Sequence, residues 1–242
     1  MSLLKSSGHT HNHRSDACEQ CEIRHMAVCS ALGVSELAEL EAITIHKTFE
    51  PGNGLFEEGD LAKYLYNVSS GTVRLYKILP NGRRQITGFL YQGDFLGLAS
   101  NDSYSYGADA VDEVSVCQFK ASSLRALMEQ YPELRSRLLD MANDELIVAQ
   151  EQMLLLGRKT PSEKLASFLI RLSRNNEKWQ RPPSPVILSM TREDISDYLG
   201  LTIETVSRTF TKLRTQGIIA LPGRNQVDLV DMEKLEELAE TY

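Results

Sequence analysis

The stretch "MTREDISDYLGLTIETVSRTFTKLRTQGII", residues 190–219, contains two helix starts separated by one tight turn. Thr191 with Asp194 caps the first helix, Gly200 breaks it and Thr202 caps the second, because such side chains accept from backbone N–H groups that a helix start leaves unpaired. In the second helix Ile203, Val206, Phe210 and Leu213 recur at spacings of three and four, which predicts one buried face. Glu204, Ser207 and Arg208 then project from the opposite face, close to the helix N-terminus. A guanidinium bonds guanine O6 and N7 bidentately and a carboxylate accepts from cytosine N4, so this face is equipped to read double-stranded DNA in a major groove.

Two core helices of an all-α domain would share this pattern, but the continuation of the chain favours a DNA reader. "GIIALPGRNQVDLV", residues 217–230, reads as a two-strand hairpin, a wing, with Gly223 at its turn and Arg224 placed to touch phosphate. Upstream, Thr160 as N-cap, Pro161 at the first helical position and Glu163 reaching back predict a capping box that opens the domain. Gly157 and the neighbouring basic pair mark a hinge, and "RNNEKWQRPPSPVILSM" is a polar, Pro-rich loop leading into a short strand. Residues 158–242 are thus predicted to form a winged helix-turn-helix domain.

Before the hinge, Pro132 can occupy the first turn of a long helix. Leu139, Leu146 and Met153 recur there every seven residues, with Ala142, Ala149 and Leu156 on the adjoining position. This a/d seam predicts a homodimer in which the alanines allow close approach. A winged reader of a palindrome needs such a two-fold partner. Asp140, Asp144, Glu145 and Glu151 bring like charges together on pairing, so the dimer is expected to be marginal when nothing else supports it. Residues 122–157 are read as a short helix and this dimerisation helix.

Residues 31–121 have another texture. "GVSELAELEAIT" starts a short helix with Ser35 as its expected N-cap. Eight of the 15 glycines then fall between residues 51 and 100, separating short runs such as "YLYNV", "TVRLYKI" and "QITGFLY". Short strands with glycine turns predict a β-roll, and Asn81-Gly82 is a strong hairpin signal. The whole chain is therefore expected to be α+β, with a β-roll sensor, a long helix and the DNA-reading domain.

Composition excludes several classes. Of the 242 residues 42% are hydrophobic and 24% charged, as in a globular protein with a proper core, and no apolar run reaches the roughly 20 residues of a membrane span. The net charge of −7 is unevenly spread: residues 158–242 carry 13 Lys+Arg against 12 Asp+Glu, leaving 13 against 21 for residues 1–157. The acid says little about what the C-terminal third binds. No Ser/His/Asp arrangement, phosphate loop or paired-carboxylate motif suggests an enzyme. The polar N-terminus lacks the apolar segment of a secretory signal, so a cytoplasmic location with reduced thiols is expected.

In that setting the four cysteines read as ligands. Cys18, Cys21 and Cys29 lie in an N-terminal arm, residues 1–30, and Cys117 lies far away in an apolar strand. Four thiolates can close a tetrahedral zinc site, but such sites usually use two CxxC pairs. The uneven C-x2-C-x7-C plus one distant cysteine suits a cuboidal iron-sulfur cluster, whose four irons each need one thiolate. His9, His11, His13 and His25 are weaker ligand candidates.

A β-roll, a long helix and "LTIETVSRTFTKL" together resemble the CRP/FNR family of bacterial transcription regulators over residues 30–242, and Glu204, Ser207 and Arg208 match the E-x-x-S-R motif of its FNR branch. The resemblance implies a target like TTGAT-N4-ATCAA and an oxygen-labile [4Fe-4S] cluster held by three N-terminal cysteines and one from the β-roll. It implies that oxidation of the cluster releases the dimer. The seven-residue spacer resembles an alternative form within the branch. The resemblance also implies contact with RNA polymerase through loops that include the one around Gly82, where Arg83 and Arg84 stand in place of acidic residues. The CRP branch binds a cyclic nucleotide through a Gly-Glu and an Arg-Ser-Ala segment; here "SYSYGADAVDEVSV" replaces the second, and no Lys or Arg occurs from Gln85 to Phe119. A buried cyclic phosphate would lack a balancing cation, so no cyclic nucleotide is expected.

Overall fold

Short strands run from residue 44 to residue 120, punctuated by the glycine turns. They are β1 (Thr44–Phe49), β2 (Gly54–Phe56), β3 (Tyr64–Ser70), β4 (Val73–Ile78), β5 (Arg84–Leu90), β6 (Phe95–Leu96), β7 (Gly107–Ala110) and β8 (Val114–Lys120). The computed structural model describes residues 18, 20–99 and 102–240; the polar tail with His9, His11 and His13 lies outside these. Two antiparallel sheets, ordered β1-β8-β3-β6 and β2-β7-β4-β5, close on one core that includes Tyr66, Val68 and Val116 from the first and Phe56, Val73 and Ala108 from the second. Between β3 and β4 the chain turns at Gly71 with φ +83, where a Cβ would meet the Glu113 carbonyl oxygen at 2.3 Å. No other residue fits that turn. The predicted hairpin at Asn81-Gly82 joins β4 to β5, with Leu79 N–H donating to the Arg83 carbonyl at 2.8 Å.

Helix α1 (Val34–Ala42) precedes the roll and corrects one expectation: its N-cap is Gly33, not Ser35. The Glu36 carboxylate accepts from the Gly33 backbone N–H at 2.8 Å, so Ser35 falls inside the first turn. Beyond the roll come α2 (Ala121–Gln130) and α3 (Pro132–Arg158), with Pro132 in the first turn of α3. At 27 residues α3 is about 40 Å long. It continues through Gly157, and the break comes at Lys159, whose φ of −82° and ψ of 142° are extended. No helix among the described residues is long and apolar enough to cross a membrane.

The C-terminal domain contains α4 (Pro161–Lys178), β9 (Val186–Ile187), α5 (Arg192–Leu199), α6 (Ile203–Thr215), β10 (Ile219–Ala220), β11 (Gln226–Leu229) and α7 (Met232–Glu240). Glu163 accepts from the Thr160 N–H at 2.8 Å, which is the reaching-back half of the predicted box. The wing is larger than a hairpin, because β9 pairs with β11 on the side away from β10.

The roll and this domain share a core. Ile86 and Phe89 of β5 belong to the same apolar cluster as Phe168, Leu169 and Tyr198, and the Phe89 and Tyr198 rings lie 5.3 Å apart. Ion pairs rim it. Asp194, 3% exposed, pairs with Arg74 and with Arg84, the latter at 2.8 Å, while Arg74 also binds Asp109 and Arg84 binds Asp197 at 2.9 Å. Arg84 is therefore turned onto its own DNA-binding domain, whereas Arg83 in the β4–β5 loop is exposed.

Candidate DNA interface and thiol site

The helix-turn-helix forms as its caps dictate. The Thr191 hydroxyl accepts from Asp194 N–H at 3.1 Å, Asp194 accepts in return from Thr191 N–H at 2.9 Å, and Gly200 ends α5 with φ 61° and ψ 43°. The Thr202 hydroxyl then accepts from Thr205 N–H at 3.2 Å to start α6. A methyl group on Gly200 would come within 3.0 Å of Leu156 Cδ2, so the end of α3 presses on this turn. Gln152 donates to the Tyr198 carbonyl at 2.7 Å, and Lys164 donates to the Leu199 carbonyl at 3.0 Å, which ties α3 and α4 to the C-terminus of α5.

On α6, Val206, Phe210 and Leu213 are buried as expected, and Thr209 joins them. Ile203 does not: it is 43% exposed, since the first residue of the helix stands beyond the cover of α5. Glu204, Ser207 and Arg208 are exposed together, with Thr202 beside them, and Arg224 is exposed at the tip of the wing. The Glu204 carboxyl is held below the usual carboxylate range by its own backbone N–H and by the Thr202 hydroxyl. It is thus an ionised acceptor at neutral pH. Arg208 Nη2 lies 3.4 Å from Thr205 Oγ1, which lays the guanidinium along the helix. Two contributors escape sequence reading: Thr205, and Arg192, whose guanidinium stacks 3.3 Å over the buried Phe210 ring.

The predicted seam of α3 is uncovered in the single chain. Leu139, Leu146 and Met153 are 61%, 55% and 69% exposed, and Ala142 and Ala149 are half-buried. Leu134, Leu138, Gln152 and Leu155 are buried against the chain's own core instead. Leu156, at the end of the stripe, divides its surface between solvent and the Gly200 turn.

The four cysteines come from three segments. Cys117 lies in β8 between His46 of β1 and Asn67 of β3, with its Sγ 3.5 Å from Ser69 Oγ and 3.8 Å from His46 Nδ1. Cys29 sits in a 3-10 turn, Val28–Ala31, held to β3 by Val28 N–H donating to Asn67 Oδ1 at 3.2 Å. Cys18, Cys29 and Cys117 pack against one apolar cluster that includes Val28, Leu37, Phe95 and Phe119. Burial pushes the Cys18 thiol up to about 12, with further contributions from Glu41 and from the other three cysteines. Burial, then Cys21 and Cys117, raise Cys29 to about 11. Burial also raises Cys117, against the Ser69 hydrogen bond and with Cys21 adding to the rise. All four are free thiols. Protonated, half-buried thiols are inert, and a bound cation is what converts such a set to thiolates. Among the described residues no three His, Cys, Asp or Glu side chains are grouped so as to hold a metal ion. By its chemistry the donor set, four soft sulfurs of which Cys18, Cys29 and Cys117 line an apolar wall, suits an iron-sulfur cluster or zinc.

The interior of the roll is occupied by aromatic side chains. Phe56 stacks on Tyr104 at 3.7 Å and lies 5.8 Å from Tyr66 and 5.7 Å from Tyr106. Tyr104 is anchored by donating to the Tyr64 carbonyl at 2.7 Å.

A winged helix-turn-helix packed on a β-roll through a long helix defines a DNA-binding transcription regulator. A Crp-like helix-turn-helix domain matches residues 163–238, and a cyclic nucleotide-binding domain matches residues 46–131. The chain is 44% identical to the nitrogen fixation regulation protein FixK of Bradyrhizobium diazoefficiens, over 92% of this chain and 93% of the relative. It is 38% identical to the transcriptional activator protein FnrL of Cereibacter sphaeroides, over 92% and 91%, and 34% identical to the fumarate and nitrate reduction regulatory protein of Escherichia coli, over 92% and 90%. The solved structure of FixK2 from Bradyrhizobium japonicum superposes with a TM-score of 0.77 and 38% identity, over 83% of this chain and 99% of that one. The chain belongs to the Crp/FNR family of transcription regulators, and these relatives are regulators rather than enzymes.

Proposed function

We propose that this regulator is an oxygen-responsive activator in which Cys18, Cys21, Cys29 and Cys117 hold a [4Fe-4S] cluster. It acts as a homodimer that binds a palindrome like TTGAT-N4-ATCAA. The observation that carries the reading is that Cys18 and Cys29 of the N-terminal arm and Cys117 of β8 pack against one apolar cluster, with Cys21 three residues beyond Cys18. A cluster bound there supplies an oxygen-labile redox centre.

The chain's own residues connect that site to DNA. Arg137 of α3 donates to the Met26 carbonyl at 2.7 Å, so the cysteine arm and the seam helix are held as one piece. The seam positions Leu139, Ala142, Leu146, Ala149 and Met153 offer the two-fold contact, and a shift of a few kcal/mol is enough to move a mixed population to mostly dimer. Pairing sets two copies of α6 roughly 34 Å apart, one turn of DNA. Arg208 reads guanine, Glu204 accepts from cytosine, and Arg224 and the Ser207 and Thr202 hydroxyls complete the half-site. The exposed turn at Asn81-Gly82, with Arg83, is the surface offered to RNA polymerase. The aromatic filling of the roll, with no Lys or Arg from residue 85 to 119, supports a sensor that takes no cyclic nucleotide.

Metal content tests the reading. Protein purified without oxygen is expected to be brown, with about four irons per chain. A colourless protein holding one zinc contradicts it and leaves a constitutive DNA-binding dimer with a structural zinc site.

A further inference from the structure

Cys21 and Cys29 are separated by seven residues, and part of this spacer lies against the DNA-binding domain. His25 meets Trp179, the residue that ends α4, ring edge to ring face at 5.5 Å with an interplanar angle of 72°. Gly93, in the turn between β5 and β6, completes the contact with φ +91: a Cβ there would lie 3.1 Å from Trp179 Cζ2 and 3.2 Å from Met26 Cβ. The tryptophan ring and Met26 therefore rest on the same patch of bare backbone. Ion pairs and hydrogen bonds surround the contact, with Lys178 to Asp94 at 3.5 Å and Arg181 to Gln92 at 3.4 Å. On the other side Arg137 holds the Met26 carbonyl, and Ile23, Ala27 and Val28 are buried, so the spacer is not a free loop.

We infer that Trp179 is a positioning residue that couples the cysteine arm directly to the DNA-binding domain of the same chain. The inference rests on the reading of the thiols as a sensory site. Under it the arm acts on the recognition helix by two routes, through α3 to the dimer seam and through Trp179 to α4, whose Phe168 and Leu169 lie in the same core as Tyr198 of α5. The long spacer is what places His25 and Met26 within reach of the ring. Burial of an aromatic face is worth enough to bias a domain orientation, and its loss is expected to reduce the coupling roughly three- to tenfold.

The test uses the full chain, reconstituted with ferrous iron and sulfide without oxygen. Iron per chain and operator affinity are measured before and after chelation for wild type, Trp179→Ala and Trp179→Phe. The alanine variant is expected to take up as much iron as wild type but to change its operator affinity about three- to tenfold less on chelation, with phenylalanine restoring most of the response. An iron-loaded alanine variant with the full wild-type response overturns the inference. A wild type that takes up no iron overturns the sensory reading and the inference with it, so the two failures are told apart by the iron count. The same contact is reached from the arm by combining His25→Ala with Met26→Ala. Trp179 is the sole tryptophan, so in iron-free protein this double variant is expected to red-shift its emission maximum as the ring becomes wetter. An unshifted maximum contradicts the contact.

Discussion

Arg208 stands exposed on α6, near enough to Glu204 for the two charges to interact and with its Nη2 3.4 Å from Thr205 Oγ1. A bidentate contact to guanine is worth about 1–3 kcal/mol of discrimination, so Arg208→Ala is expected to relax the preference at one base pair per half-site by about ten- to a hundredfold. Arg224→Ala, at the wing tip, should instead weaken all sequences alike and lower the salt slope by about 1. Competition binding against operator variants at several salt concentrations separates the two, and equal losses at every base for Arg208→Ala would contradict its role. These residues were legible because helical spacing decides which side chains face away from Val206, Phe210 and Leu213. Ile203 was misread for a physical reason: periodicity gives direction but not the extent of the neighbour that covers it. Arg192 over Phe210 is a tertiary stack between two helices, and nothing local in the sequence signals it.

Among the elements, α3 carries two apolar stripes with different owners. Leu155 is 6% exposed and belongs to the chain's own core, while Leu146 is 55% exposed and belongs to the proposed seam. Leu146→Arg is therefore expected to leave the stability of the isolated chain within about 0.5 kcal/mol. Because a two-fold contact loses the side chain on both helices, the dimer should weaken by about 3 kcal/mol, roughly a hundredfold. Sedimentation equilibrium reads both forms, and an undisturbed dimer would remove the seam from the account. The period of seven made this stripe readable, and the strands were readable because glycines must stand where β3 turns into β4. The cap of α1 was not, because Ser35 is a capping residue by type whereas the Gly33–Glu36 pair does the capping by geometry. Leu156 also fits the heptad by number, yet the same side chain is claimed by the Gly200 turn.

At the scale of the molecule, one buried carboxylate is shared across the contact between the sensor and the DNA-binding domain. Asp194 caps α5 through Thr191 and receives Arg74 and Arg84 from the roll. Burial raises its pKa, but the Thr191 hydrogen bonds and the two arginines outweigh burial and leave it below its ordinary 3.8. A carboxylate depressed in the folded state contributes stability above its unfolded pKa and loses it as pH falls through the folded value. Asp194→Asn is expected to cost about 3 kcal/mol near pH 7, a cost that shrinks below about pH 4. Urea unfolding at about pH 7 and pH 3 checks this, and a gap of equal size at both values would contradict it. None of these partners is near another in sequence, which is why the ion pairs, like the His25–Trp179 contact, emerge only from the assembled fold. The cysteines stand out as a set in the sequence because the chain has four and no others, and what they hold is the proposal that the experiments below address.

The central claim is that the thiol site governs DNA binding. Operator affinity of protein purified without oxygen, measured before and after exposure to air, tests it most directly when paired with Cys117→Ser, which removes one sulfur from the far side of the site. Wild type should bind at least about tenfold more weakly after air, and Cys117→Ser should bind weakly throughout. Equal affinity before and after air, with Cys117→Ser indistinguishable from wild type, would contradict the account.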